Sequence, residues 1–303
     1  MEKRATHGTW RLGIVAAILA TPLGAAPFAL TAAARGTVTA ETASALPWSK
    51  QSPCIAGALR CVDGVLSQME RRFRDLARRC DHDALFALLY LRTTEEYRRT
   101  VAADPEYFVD TAYVNREDAM FSDDYMLPYD AWHEGGTVPE AWAIAFEAAE
   151  RREVSGMGNT LLGMNAHINR DLPFVLAELG LTHPDGSSRK PDHDKVDAIL
   201  HRVVHSPVIE EAAQRFDPSM KNADVPGTTL DADAFLAVVV AWRERAWWNA
   251  VSLASAPTSF VRTLVAQQIE QTAAAQALAI KGAFAYLPPV SSTAPRDAYC
   301  AAQ

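Results

Sequence analysis

Apolar side chains recur at helical spacing along most of this chain. The first clear example places Val65, Met69, Phe73 and Leu76 on one face of a helix. Neither the alternation typical of half-buried strands nor a repeating strand–helix pattern stands out elsewhere. The pattern therefore predicts an all-α fold, organised as a single multi-helix, bundle-like domain. The predicted helices cover residues 62–79, 83–99, 139–153, 159–179, 193–215, 230–254 and 258–284.

Residues 104–136 interrupt this helical pattern. They contain two prolines and a Gly-Gly pair, together with many acidic and aromatic residues. Such a stretch predicts a long irregular segment, and long irregular segments in compact domains are often functional. We expect it to lie over a site, with Asp124 or Asp130 as a catalytic acid or base. Tyr129 and Trp132 would then bind the substrate. The alternative is a solvated acidic loop whose aromatic residues pack on the helices.

The most unusual stretch, residues 163–173 (GMNAHINRDLP), places polar side chains inside an otherwise apolar helix. His167 and Asp171 are four residues apart and therefore share one helical face. Asn165 and Asn169 are candidate substrate-binding residues beside them. Polar groups in a buried helix are costly unless a metal, a substrate or a polar network satisfies them. We therefore expect His167 and Asp171 to be catalytic residues, metal ligands or parts of a structural network.

Pro173 follows this motif directly. A proline lacks the backbone N–H that a helix requires, and its ring crowds the preceding turn. We therefore expect the helix 159–179 to kink or divide just after Asp171.

Two further histidines, His201 and His205, occupy helical i and i+4 positions in the sequence LHRVVH. With His167 and Asp171 they would form a site of three histidines and one carboxylate, which suits zinc or another divalent metal. Water bound at an open position would supply a nucleophile near neutral pH. No glutamate follows His201, so the metalloprotease HExxH motif is not present. The alternative is a surface helix on which these histidines flank the core.

The helix 230–254 carries charged residues between tryptophans (WRERAWWN). Charged groups in such surroundings are seldom fully exposed, so Arg243 and Trp247 are candidate substrate-binding residues. The alternative is an ion pair that joins two helices, for which Asp171 is a candidate partner of Arg243.

The N-terminus has the layout of a cleaved secretory signal, with a basic start, an apolar run and small residues within residues 1–35. The apolar run is short for a spanning helix and contains a proline and a glycine, although an uncleaved anchor is the alternative. We expect a secreted or extracytoplasmic protein with no stable membrane span after cleavage. The remainder divides into an irregular segment (36–60), a helical domain (61–285) and a tail (286–303) fixed only by Cys300.

The formal net charge of the chain is −8, and it becomes about −11 once residues 1–35 are removed. An acidic protein is poorly suited to bind nucleic acid or an anionic membrane by charge. We therefore expect a small-molecule or lipid-like substrate and no nucleic acid partner.

The four cysteines are even in number, which in an exported chain suggests two disulfides. Four cysteines allow three pairings, and the sequence does not decide among them. We favour a local Cys54–Cys61 loop and a Cys80–Cys300 bond that ties the tail to the first helix.

The motif at residues 163–173, with Trp142 upstream and the tryptophan-rich stretch 241–249 downstream, resembles an uncharacterised bacterial family, a domain of unknown function. The resemblance covers about residues 60–255. It implies a helical domain centred on the motif, and it implies no reaction.

Three functions are compatible with these features. The first is a metal-dependent hydrolase of an ester or phosphoester in a small molecule or lipid. The second is a metal-free acid–base cyclase, lyase or isomerase that acts on a lipophilic small molecule. The third is a non-catalytic exported binding protein whose motif only fixes helix packing.

Overall fold

The computed structural model describes residues 46–222 and 230–303, and within these ranges the chain is all-α. The predicted signal peptide, residues 1–35, lies outside the described residues. None of the described helices combines the length and the apolar character needed to cross a membrane. The main helices are α1 (Leu59–Arg78), α2 (Ala84–Ala103), α3 (Thr111–His133), α4 (Glu140–Glu150), α5 (Gly156–Met164), α6 (Leu172–Leu179), α7 (Lys190–Val204), α8 (Pro207–Gln214), α9 (Leu230–Ala254), α10 (Ser259–Phe284) and α11 (Ala294–Ala301).

Most helix boundaries fall within a few residues of the prediction, and α9 has the predicted bounds. The predicted helix 193–215 is instead two helices, α7 and α8. Ser206 between them has an extended backbone, with ψ at 115°. The following Pro207 disfavours the helical conformation at Ser206 and then starts the next helix as its first residue.

The expectation of a long irregular segment over residues 104–136 is wrong. Most of these residues form α3, which is 23 residues long. The helix begins after Asp110, whose side chain accepts a hydrogen bond from the backbone N–H of Tyr113 at 2.9 Å. Pro128 lies inside the helix, where it removes one backbone hydrogen bond without ending the helix.

The predicted helix 159–179 consists of α5, a π-helical turn over Asn165–Asp171, and α6. The backbone N–H of Leu172 donates to the carbonyl of His167, five residues earlier. A regular α-helix would press the ring of Pro173 against the carbonyl four residues before it, and the wider turn leaves room for that ring. The helix is therefore distorted near the proline, but the chain stays helical from Asp171 into Leu172 and the distortion precedes the proline.

The π turn lies at the centre of the fold, where it contacts α3, α4, α5, α6, α9 and α10. The helices enclose one large apolar core, and α9 packs along α6. Gly163 in α5 permits a close approach to α2, because a Cβ atom there would lie 2.4 Å from the ring of Phe86. The aromatic ring thereby reaches the centre of the core.

Both favoured disulfides, Cys54–Cys61 and Cys80–Cys300, are present. Two turns of continuous helix would hold Cys54 and Cys61 too far apart to bond. A short helix instead stops before α1 begins, with Gly57 between them at φ +65°. The break brings the two Cα atoms within 4.9 Å.

The expectation that residues 286–303 are fixed only by Cys300 is wrong. The end of this segment forms α11, and the guanidinium of Arg296 is buried beneath it. Arg296 donates to Oδ1 of Asn159 at 2.7 Å and to the backbone carbonyl of Phe216 at 3.2 Å. Hydrogen bonds therefore join the disulfide in anchoring the C-terminal helix.

Candidate functional site

His167 and Asp171 face each other within the π turn. Nδ1 of His167 lies 3.3 Å from Oδ2 of Asp171. Their side chains are only 4% and 0% exposed. A neutral imidazole in this position donates its Nδ1–H to the carboxylate and carries a free lone pair on Nε2. The two residues therefore form a buried carboxylate–imidazole pair, which we call the dyad.

Two further side chains fix the carboxylate of Asp171. Nε1–H of Trp142 donates to Oδ2 at 2.9 Å, and Nη1 of Arg170 donates to Oδ1 at 2.9 Å. Arg170 also pairs with Glu270, at 2.7 Å. Burial raises the pKa of Asp171 to about 7, although Arg170 and Trp142 act to lower it. The carboxylate is thus held in one orientation towards the imidazole.

Aromatic side chains surround the imidazole of His167. The ring of Phe121 stacks on it in nearly parallel orientation, with ring centroids 3.4 Å apart. Tyr90 contacts it edge to face at 4.5 Å, and Phe86 lies at 5.9 Å. Burial among these rings lowers the pKa of His167 well below its usual range, so the imidazole is neutral at neutral pH.

His167 also lines a cavity of about 110 Å³. Nε2 is buried, and it has no hydrogen-bond partner within residues 46–222 and 230–303. The wall of the cavity is mostly apolar, and the lone pair of Nε2 remains able to accept a proton. The apolar part of the wall includes Leu89, Val114, Ile168, Ile199, Phe235 and Val239.

Two acidic residues, Glu117 and Asp118, line the same cavity. Oδ2 of Asp118 is buried without a hydrogen-bond partner in the described part of the chain. Burial and the nearby Glu117 raise the pKa of Asp118 to about 8. Burial also raises the pKa of Glu117 to about 7, while Arg243 acts to lower it. Carboxylic acids that stay protonated near neutral pH can donate protons.

A family of unknown function, DUF5995, matches residues 62–282 of the chain. The chain belongs to the DUF5995 family. This match includes the dyad, the π turn and the helices that line the cavity, and it confirms the expected membership of an uncharacterised family. No curated protein and no solved structure gives a significant match.

The two asparagines of the DUF5995 chain that were candidate substrate-binding residues bind other parts of the protein. Nδ2 of Asn165 donates to the backbone carbonyl of Ala273 in α10 at 2.9 Å. Its Oδ1 accepts a hydrogen bond from Asn169 at 3.1 Å. The first bond ties the π turn to α10, and the second lies within the turn.

Arg243 also lines the cavity. Its Nε donates to Asp197 at 2.8 Å, so the alternative of an ion pair between two helices is confirmed. The expected partner, Asp171, is instead paired with another arginine. Trp247 is buried on the same helix beside His193, with ring centroids 5.3 Å apart.

Asp124 lies on α3 near the dyad, although it is not among the residues that line the cavity. Burial and the negative charge of Asp171 raise the pKa of Asp124 to about 8. The DUF5995 chain therefore brings this candidate close to the carboxylate end of the dyad.

The remaining candidates on α3 lie at its C-terminal end, away from the cavity. Asp130 is half exposed and forms an ion pair with Arg72 at 2.5 Å. The same guanidinium lies over the ring of Tyr129. Nε1–H of Trp132 donates to Glu150 at 2.8 Å. These contacts join α3 to its neighbouring helices α1 and α4.

His201 and His205 stack on each other at the end of α7, with ring centroids 4.2 Å apart. His201 is exposed, and Nε2 of His205 lies 2.9 Å from Asp233. Over residues 46–222 and 230–303, no group of three or more histidine, cysteine, aspartate or glutamate side chains is arranged to hold a metal ion. The two histidines therefore do not join the dyad in one ligand set.

Asp118, Glu117 and Tyr90 were not among the candidates that the sequence suggested. The two acids lie in the segment that was expected to be irregular. Val114, Phe121 and Tyr125 have helical spacing in that segment. That spacing was the available sign that the neighbouring acids lie on a helix and face the core.

Proposed function

We propose that this protein is an acid–base enzyme, a lyase, isomerase or cyclase, that moves a proton on a lipophilic small molecule. The observation that carries the proposal is that His167 and Asp118 line one cavity and that each carries a buried polar atom with no hydrogen-bond partner among the described residues. Nε2 of His167 offers a lone pair, and the Asp118 carboxyl offers a proton. Environments that push the pKa values of two such groups apart are typical of acid–base sites.

His167 is the proposed base. Its Nε2 takes a proton from the bound substrate, and the positive imidazolium that results lies between the Asp171 carboxylate and the face of Phe121. The carboxylate stabilises the imidazolium and keeps the ring in the tautomer that presents Nε2. Asp171 is therefore a positioning residue in this proposal.

Asp118 is the proposed acid. With its pKa raised to about 8, the carboxyl is protonated at neutral pH and gives its proton to a different atom of the substrate. Exchange with solvent then returns a proton to Asp118 and removes one from His167. The net reaction relocates a proton, and it needs no oxidant or reductant.

We further propose that the enzyme works outside the cytoplasm. The two disulfides support this location, because cytosolic thiols are generally kept reduced. The layout of residues 1–35 supports it independently.

Hydrogen–deuterium exchange tests the proposed proton transfer without knowledge of the natural substrate. The protein is incubated in D₂O with a panel of medium-chain ketones and unsaturated ketones, and exchange next to the carbonyl is followed by NMR. We expect the wild-type protein to exceed its heat-denatured form, and His167→Gln to exchange at least ~10²-fold more slowly.

The exposed variant His201→Gln separates this proposal from the metal-dependent alternative. Exchange that survives His201→Gln and resists chelator is expected for a His167 base. Exchange that is lost in His201→Gln would favour the metal site, and equal exchange in wild type and His167→Gln would refute the proposal.

A further inference from the structure

A second cavity, of about 120 Å³, lies beside the cavity that His167 lines. It is lined by side chains from α2, α5, α7, α8 and α9 and by Met220, and its wall includes Leu85, Met157, Val203, Ile209 and Ala213. An engineered apolar cavity of about 150 Å³ takes up benzene. The second cavity is therefore large enough for several carbon atoms.

Three side chains, Leu89, Val204 and Phe235, line both cavities. The two spaces thus lie on either side of one partition that consists of apolar side chains. Each of these side chains is only partly buried, so a change of rotamer can open a passage without moving a helix.

The side chains proposed to move protons line the first cavity. Glu117, Asp118 and His167 all belong to the first cavity. The second has only Thr160, whose hydroxyl donates to a backbone carbonyl at 3.0 Å, and Glu210, which accepts a hydrogen bond from a glutamine at 3.0 Å. The rest of the second cavity's wall consists of apolar side chains, against which a hydrocarbon chain can pack.

We infer that the second cavity binds the hydrocarbon tail of the substrate, whose oxygen-bearing end lies at His167. The substrate class is then an elongated amphipathic molecule with a single apolar chain, such as a fatty acyl or isoprenoid derivative. This inference rests on the proposed function for the position of the polar end. The binding of the chain itself depends only on the shape and apolar character of the two cavities.

Binding of a homologous series of straight-chain alcohols, from butanol to decanol, tests the inference by calorimetry. We expect the affinity of the wild-type protein to rise about fourfold per added methylene until both cavities are filled. Ala213 lines the second cavity only, so Ala213→Leu fills it. The variant should bind decanol at least tenfold more weakly (roughly, for two or more excluded methylenes) and bind butanol as the wild type does.

Ala212→Leu is the matched control, because this neighbouring alanine lines neither of the two cavities. Ala232→Leu fills the second cavity from α9 and replaces Ala213→Leu if that variant fails to fold. Equal decanol affinity in wild type and a folded cavity-filling variant, or no dependence on chain length in the wild type, would overturn the inference.

The outcomes also separate this inference from the proposed function. Chain-length-dependent binding in a protein that shows no ketone exchange would retain the tail site and reject the acid–base enzyme. Ketone exchange without chain-length dependence would retain the enzyme and reject the tail site.

Discussion

The carboxylate of Asp171 has an unusually complete set of donors for a buried group. Trp142 and Arg170 supply two hydrogen bonds, and His167 supplies the third contact. A buried acceptor in an apolar core is costly when it loses a partner. The indole of Trp142 therefore contributes to both the stability of the core and the orientation of the imidazole.

Trp142→Phe should destabilise the protein by about 1.5–3 kcal/mol, because it removes a hydrogen bond to a charged group and leaves part of that carboxylate unpartnered. It should also raise the pKa of Asp171 further, since the lost donor acts to lower it. Urea unfolding at several pH values measures both effects.

Trp248→Phe provides the control for this change. Nε1–H of Trp248 also donates to a carboxylate, that of Glu244, at 2.7 Å. The side chain is 57% exposed, so water replaces the lost donor and the free energy of unfolding should change by about 0.5 kcal/mol or less. If both substitutions change the free energy of unfolding equally, the buried hydrogen bond of Trp142 is no more stabilising than the exposed bond of Trp248.

At the scale of the helix, the π turn depends on partners that are distant in the sequence. Asn165 is fully buried and reaches the carbonyl of Ala273, 108 residues later. π turns are rare and occur often at functional sites. In this protein the turn contains the dyad and ends two residues before Pro173.

Asn165→Ala should reduce the free energy of unfolding by about 1–3 kcal/mol, because the carbonyl of Ala273 and the amide of Asn169 both lose a partner. Thermal or urea unfolding measures this change. Ser252→Ala removes an exposed bond from a side chain to a helix carbonyl and should have little effect. A wild-type stability for Asn165→Ala would contradict the anchoring role of this side chain.

The sequence pattern predicted the bounds of α9 but did not predict α3. Apolar residues occur along almost all of α9, whereas the buried face of α3 includes Glu117, Ser122 and Asp123. Acidic residues on an inner face make a helix resemble a solvated loop when only its pattern is examined. The partners of such residues come from other helices, so their burial follows from tertiary packing that the sequence pattern does not contain.

At the scale of the whole molecule, several buried acids oppose ionisation of the folded state. The pKa of Asp118 is about 8 in the folded protein, compared with about 3.9 for an exposed aspartate. Between these values the unfolded chain ionises while the folded protein does not. The contribution of Asp118 to stability is therefore complete below about pH 4 and is lost as the pH rises through about 8.

Asp118→Asn should flatten the pH dependence of stability. Relative to the variant, the wild type should lose up to about 1.4 kcal/mol of unfolding free energy per pH unit between about pH 5 and about pH 8. Urea titrations across this range measure the difference. Asp75→Asn alters an exposed aspartate and should leave the profile of the wild type unchanged, and an unchanged profile for Asp118→Asn would contradict the assignment.

The helical class of the described residues followed from the spacing of apolar residues, and the number of disulfides followed from the even number of cysteines. The pairing of those cysteines was a preference among three possibilities that the sequence left open. The dyad followed from the four-residue separation of His167 and Asp171. The cavity did not, because its walls come from α2, α3, α7 and α9 as well as the π turn. The proximity of Asp118 to His167 is a property of how these helices pack.

The bond between Asn165 and the carbonyl of Ala273 affects when the site can form during protein synthesis. A ribosome adds Ala273 long after it has added the motif, so a nascent chain carries His167 and Asp171 before the acceptor for Asn165 exists. Fragments whose synthesis stops before Ala273 therefore contain the whole motif but lack the carbonyl that Asn165 binds. Maturation of the site is tied to the synthesis of α10.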